Sequence, residues 1–477
     1  MKKILLVFYF LIFTAPLFAQ QFSQYNTGTL YDSFENPAQA AFIPDTSRLF
    51  ASNLFIPNFG GNFFLSGDAQ ATLKSRVFKN SYYNEALQIG QGKTNLVNAN
   101  ANAYFLMLRM FSSLNGNVEI GLSAQTKFEG RGLFTDETIA ALNGPGSFPN
   151  NTYSNILNNN YYYQAYNQIG LSYRETVTKN FSVGFKLSAL LGIEYQKLDV
   201  NSSNITFDKA NDAATVSMQG TYNSGYTAGP LVARDYLPTF RNPGASISVG
   251  TMYKTDDGFT IQANVKDLGF IHWSQYSGIY NFNGTETIKG LSTPAREDSI
   301  YNQIYKIVHT NGSQGSFTSP IDGHAELSVM KSYWLDQDNR FKYSPTLIAS
   351  KELFYTGFVG AFVNPFQYGN YVLTLTASYD DLKTFNVGGQ FMYKTPNFEI
   401  FIGSDKLVQT GHFAYDAANK SASDITANPA YTGASVSFGF AVKFGPIIEH
   451  PMNASTIPNG DKGFLGRLWG RLFKTDN

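Results

Sequence analysis

The sequence predicts an all-β protein: a closed antiparallel transmembrane β-barrel of about 14 strands, preceded by an N-terminal plug segment and followed by a C-terminal tail. Three observations carry this. Apolar and polar residues alternate through segments of about ten residues or more, the length a tilted strand needs to cross hydrocarbon. Aromatic residues make up 16% of the 477-residue chain, whereas charged residues make up only 15%. After the first twenty positions there is no apolar run of about 18 residues such as a membrane helix requires. The 35 basic and 35 acidic residues balance, and there is no cysteine. A nucleic-acid binder would be basic, a disordered chain poor in aromatics, and a disulfide-stapled module rich in cysteine.

In chain order, residues 1–19 read as a secretory signal peptide. Lys2 and Lys3 precede an apolar stretch from Ile4 to Leu17, and Ala19 stands at the cleavage position. Residues 20–46 follow, with Gln21-Phe22-Ser23-Gln24-Tyr25 and then Asn36-Pro37-Ala38. Proline and small residues make this a poor membrane strand, so the segment is expected to fill the lumen.

The barrel is expected over 47–445. Phe181, Val183, Phe185, Leu187, Ala189, Leu191, Ile193 and Tyr195 alternate with mostly small or polar residues. The same period of two recurs at Val118–Gln125, Phe259–Lys266, Leu373–Tyr379, Phe385–Lys394 and Ser435–Phe444. A soluble sandwich also alternates, but its strands average about five or six residues. Here the apolar face also tends to end in Tyr, as at Tyr173, Tyr253 and Tyr379, like an interfacial girdle. A Lys or Arg facing lipid at mid-membrane costs roughly 2–4 kcal/mol. Lys127, Glu129, Arg131, Arg174, Lys186 and Glu194 are therefore expected in the lumen, paired with one another or forming a constriction.

Short turns near 112–117, 175–180, 254–258, 336–340, 365–370 and 395–397 alternate with long connections near 131–161, 199–244, 279–322 and 406–432. Outer-membrane barrels keep short turns in the periplasm and long loops outside. Both ends of the barrel then face the periplasm, and the strand number is even, 14 or else 16. Residues 446–477 form a Pro-containing linker and a basic amphipathic helix with Phe464, Leu465, Leu468, Trp469, Leu472 and Phe473 on one face. It suits the inner leaflet or a periplasmic partner. Gly463, Gly466 and Gly470 weaken it.

Asn36-Pro37-Ala38 before the first strand resembles the hatch motif of FadL-like outer-membrane transporters, which have 14 strands and an N-terminal plug. Together with Gln21-Phe22-Ser23-Gln24-Tyr25 it also resembles PorP/SprF barrels associated with type IX secretion and gliding. Val265-Lys266-Asp267-Leu268-Gly269-Phe270-Ile271-His272-Trp273, Phe398–Asp405 and Phe438–Gly445 are similar to an uncharacterised Bacteroidetes outer-membrane family, with Asp267, Gly269 and Trp273 as its signature strand. The resemblance implies a non-enzymatic barrel in the bacterial cell outer membrane that passes or binds a small hydrophobic or amphiphilic ligand. The alternative it implies is an accessory or anchoring barrel for type IX secretion, binding a periplasmic or secreted protein through its long loops and tail. Outer-membrane lipid is the partner expected in either case; no nucleic acid and no cofactor is expected. His272, His309, His324, His412 and His450 show no metal spacing, and there is no Gly-x-Ser-x-Gly elbow.

Overall fold

In a strand, successive side chains point to opposite faces, so each alternating segment offers one apolar and one polar side. Closing such segments into a ring puts one side on lipid and the other in the lumen, with no edge left over. The computed structural model describes residues 28–43, 46–112, 117–225, 237–355, 357–419, 425–426, 429–449 and 463–473. The expected signal peptide 1–19 and the Gln21–Tyr25 motif lie outside the described residues.

Among these residues, fourteen antiparallel strands close one barrel. They are β1 (Arg48–Ser52, continued by Asn58–Ser66), β2 (Thr94–Phe111), β3 (Val118–Thr135), β4 (Asn160–Thr178), β5 (Phe181–Asp208), β6 (Pro243–Lys254) and β7 (Phe259–Trp273). The ring continues through β8 (His324–Lys331), β9 (Thr346–Glu352), β10 (Phe358–Tyr368), β11 (Tyr371–Asp380), β12 (Phe385–Thr395), β13 (Phe398–Ser404) and β14 (Thr432–Ile447). Each strand pairs with the next, and β14 returns to β1 through Phe50↔Phe444 and Phe59↔Phe438. Both pairs stack their rings, 5.6 Å apart.

The outward face is apolar and open. Leu171 is 62% exposed and Leu187 54%; Val249, Ile261, Leu327, Leu347, Phe362, Leu373, Leu375, Phe391 and Ile402 are exposed with them. Tyr253, Tyr368, Tyr371 and Tyr379 are exposed too. The inward face is buried and polar: Gln262, Asn264, Ser328, Thr374, Thr376, Asn386, Gln390, Ser437 and Lys443. An apolar belt this continuous on the outside of a closed wall defines a transmembrane barrel.

Two expectations shift. The turn expected near 365–370 is confined to its end, at Gly369 with a positive φ of 56°, because Pro365 lies within β10 opposite Thr374. The second shift concerns β5. Its lower part faces lipid as expected, but Leu191, Ile193 and Tyr195 are buried. Ala165 opposes Glu194 and Tyr166 opposes Gly192, so Ile193 is an extra residue and the faces swap above it, which turns Tyr195 inward; Leu191 lies below the slip. β5 is 28 residues long, about 90 Å at the rise of a strand, against about 30 Å of hydrocarbon.

The upper half of β5 therefore stands clear of the barrel and pairs with Ala213–Ser224, which pairs in turn with Gly278–Lys289. Val200, Ile205, Phe207, Val216, Met218, Phe282 and Ile307 pack together between this overhanging sheet and its helices. Arg76 and Glu297 tie the layer with two bonds of 3.0 Å, and Tyr82 donates to the same carboxylate at 2.7 Å. Burial, then Glu297, raises the Tyr82 phenol pKa, so it stays protonated. Glu297→Ala is expected to cost this layer about 1.5–3 kcal/mol. The loss should be seen as faster protease cleavage of the long loops with the barrel itself left intact.

Candidate lumenal site

The site begins with a helix made by its own caps. In α1 (Leu30–Glu35), Asp32 N donates to Thr29 Oγ1 at 3.0 Å while Thr29 N donates to the Asp32 carboxylate at 3.3 Å. Asn36 ends the helix, and its Oδ1 accepts from Ala38 N at 3.0 Å, turning the chain back. Leu30, Phe34, Asn36 and Ala38 are fully buried. Segment 28–43 thus lies inside the barrel and touches its wall on several sides. Leu30 N donates to Glu399 on β13 at 2.5 Å, Asn36 Nδ2 to Gln262 on β7 at 2.9 Å, and Ala41 N to Glu119 on β3 at 3.1 Å.

Glycines make room for it. A Cβ at Gly184 would collide with the Pro37 carbonyl, and one at Gly250 with the Asn36 side chain. At Gly121 it would meet the Phe34 ring at 3.1 Å. Glycine here serves close approach of another backbone rather than strand stability.

Three groups of charges line the wall. The central one forms around a β-bulge in β7. Val265 opposes Val249 and Leu268 opposes Ile247, so Lys266 and Asp267 together face Ser248 alone. Asp267 accommodates the bulge at φ 52°, and both side chains turn inward. Asp267 pairs with Lys127, accepts from Gln168 at 2.8 Å and lies 3.7 Å from Lys186. Lys266 pairs with Glu35 of α1, whose carboxylate also accepts from Tyr104 at 2.7 Å. Lower down, Glu119 pairs with Arg109 at 3.1 Å and Arg174 at 3.6 Å. Toward the long-loop end, Glu129 accepts from Tyr166 and Gln164 at 2.5 and 2.8 Å. Arg131 there lies 3.6 Å from Glu352, and His324 lies 3.3 Å from Asp322.

The structure thus places Lys127 and Lys186 in the central group, Arg174 in the lower one, and Glu129 and Arg131 in the upper one. Glu194 stands apart on the overhang, accepting from Tyr163 at 2.5 Å. Gly269 lies against the Ala245 carbonyl, where a Cβ would not fit. Trp273 is fully buried, donates to Ser319 at 2.8 Å and packs on Tyr195 and Phe317. Sequence reasoning had not singled out Glu35, Arg109, Glu119 or Lys266 as site residues. The available signal was the slip in period two between Val265 and Leu268.

The lower and central groups bring together Arg109, Lys127, Arg174, Lys186 and Lys266 against Glu35, Glu119 and Asp267, an excess of cations. Backbone carbonyls of segment 28–43 take up the surplus donors. Lys186 reaches Phe34 O at 3.3 Å, Arg174 reaches Ala38 O at 2.8 Å, and Arg109 reaches Ser33 O and Gln39 O. Beside Asn36 a small polar crevice is lined by Gln262, Asn264, Glu326, Ser328 and Ile348. The buried Oδ1 of Asn264 has no hydrogen-bond partner. Among the described residues no cluster of His, Cys, Asp and Glu is arranged to hold a metal ion.

Fold and lumen define a fourteen-strand transmembrane β-barrel that holds its own N-terminal segment. A model of the family described as a family of unknown function (DUF5723) matches residues 50–405, and the chain belongs to that family. No curated protein matches it. Among solved structures, the chain is similar to a Pseudomonas aeruginosa FadL homologue, at 12% identity over 90% of this chain and 95% of that one, with a TM-score of 0.40. It is also similar to the P. putida toluene transporter TodX, at 7% identity over 87% and 94%, TM-score 0.40. The Ralstonia pickettii toluene transporter TbuX aligns at 8% identity over 87% and 94%, TM-score 0.39.

Proposed function

We propose that the chain is a gated passage through the bacterial outer membrane for a small amphiphilic ligand, with residues 28–43 as its hatch. One observation carries this reading: Arg109, Arg174 and Lys186 each divide their interactions between a carboxylate of the wall and backbone carbonyls of the segment, because the lower and central groups hold more cations than carboxylates. Such bonds are individually modest, about 1.5–3 kcal/mol for a charged donor. An anionic head group can replace them one for one. The buried aromatic cluster of Tyr166, Tyr195 and Trp273 toward the long-loop end suits the apolar body of the same ligand. Asn36, between crevice and hatch, is the hinge of the release.

Asn36→Ala removes both the turn-closing bond and the Gln262 contact, at an expected cost of about 1–3 kcal/mol to the closed arrangement. Proteoliposomes with this variant should take up a labelled medium-chain fatty carboxylate several times faster than those with the parent protein. Uptake by the parent no faster than in protein-free vesicles, with no change in the variant, would sink the proposal.

A further inference from the structure

By strict alternation, Glu175 on β4 follows Ile169, Leu171 and Tyr173 onto the outward, lipid-facing side. It is nevertheless 1% exposed. What covers it is the helix Phe464–Phe473, α2 here. Leu465 N and Gly466 N donate to the two Glu175 oxygens at 2.8 and 2.7 Å. The carboxylate caps the positive end of the helix, and Gly463 is where a Cβ would collide with it. Trp469 completes the contact, its ring 5.6 Å from Phe181 at the foot of β5. The helix therefore lies on the outer wall, at the short-turn end, beside the β4–β5 hairpin.

This docking divides the helix. Gly466 and Trp469 turn to the barrel, whereas Phe464 is 64% exposed and Leu468 44%. These two are four residues apart and share a stripe. Arg467 and Arg471, also four apart and exposed, form a parallel basic stripe beside it. The side chains of Leu472 and Phe473 lie outside the described residues. An apolar stripe bordered by arginines, continuous with the lipid-facing belt, is the arrangement of a helix lying in a membrane interface.

We infer that α2 is an interfacial collar that binds anionic phospholipid in the leaflet at the short-turn end. Phe464 and Leu468 enter the acyl boundary, and Arg467 and Arg471 meet head-group phosphates. Continuity with the belt and the sign of the flanking charge select lipid over protein as the occupant. The inference is independent of what passes through the lumen.

The chain has no cysteine, so Leu468→Cys carries a single fluorescent probe. Lys306→Cys, on an exposed helix of the long loops, gives a water-facing reference. The full-length protein is placed in phosphatidylethanolamine vesicles containing brominated phosphatidylglycerol or brominated phosphatidylcholine. Brominated chains should quench the probe at 468 at least about two-fold more than the probe at 306, and phosphatidylglycerol should quench it more than phosphatidylcholine. Arg467→Gln with Arg471→Gln should abolish that lipid preference, and Gly463→Leu should lower quenching at 468 to the reference level. Equal quenching at 468 and 306, or aqueous iodide reaching both alike, would overturn the inference and assign the face to a protein partner.

Discussion

Replacing Asp267 by Ala is expected to destabilise the barrel by about 3–5 kcal/mol, the usual cost of leaving a buried charge without its partner. The bulge in β7 brings Asp267 to Lys127, with Lys186 at 3.7 Å. All three side chains are shielded from water, so bulk solvent cannot take over. Asp267→Ala strands two ammonium groups next to a third, Lys266. Asp267→Asn keeps a hydrogen-bonding group toward Gln168 and Ser248 but removes the charge, and should lose nearly as much. Adding Lys127→Met to Asp267→Ala should recover part of the loss, because one unpaired cation goes with its partner. Urea unfolding in detergent micelles, followed by the gel-mobility shift of the folded barrel, measures all of these. An Asp267→Ala barrel within about 0.5 kcal/mol of the parent would show that the central charges are hydrated and not mutually held.

The second large effect is expected from Gly250→Leu. At this position even a Cβ would overlap the Asn36 side chain, so a leucine displaces segment 28–43 from its seat. Gly250 lies on the inward face of β6, opposite Gly184 and Asn264, so the strand pairing itself can persist. With the segment displaced, Glu35 leaves the lumen, and in the lower and central groups Arg109, Lys127, Arg174, Lys186 and Lys266 keep Glu119 and Asp267 as their ion-pair partners. The variant should therefore show a steady conductance in planar bilayers where the parent is closed. Gly360→Leu, on β10, has nothing near its Cβ position but the Phe358 ring at 3.9 Å and should stay closed. A Gly250→Leu barrel with no more conductance than the parent would show that segment 28–43 does not block the lumen.

The wall was legible in the sequence because lipid on one side and an enclosed interior on the other impose a period of two. Lys127, Glu129, Arg131, Arg174 and Lys186 could be assigned to the lumen from that period alone. The bulge at Asp267 was not legible in the same way. It breaks the period, and only in space does the break bring Lys266 and Asp267 inward together. Arg109 was hidden for a similar reason, since the register of β2 slips between Tyr104 and Leu106. Glu35 was hidden because it precedes the barrel and meets Lys266 across 231 positions. The face swap in the upper part of β5 is also non-local: Tyr195 is apolar and in phase, but what it meets is Trp273 and not lipid. Pro365 shows the converse limit, a turn-forming residue accommodated within a barrel strand.

The seam between β1 and β14 joins the two ends of the chain, so it is the pairing of greatest sequence separation in the wall. Loop-closure entropy makes such a contact late to form. Segment 28–43 is attached directly before β1 and bonds to β3, β7 and β13. Its contacts reach strands on several sides of the ring. In the finished barrel the N-terminal stretch sits like a mandrel inside a casing whose last seam is the β1–β14 pair. The same contacts that seat the stretch therefore also tie β3, β7 and β13 to one another across the bore.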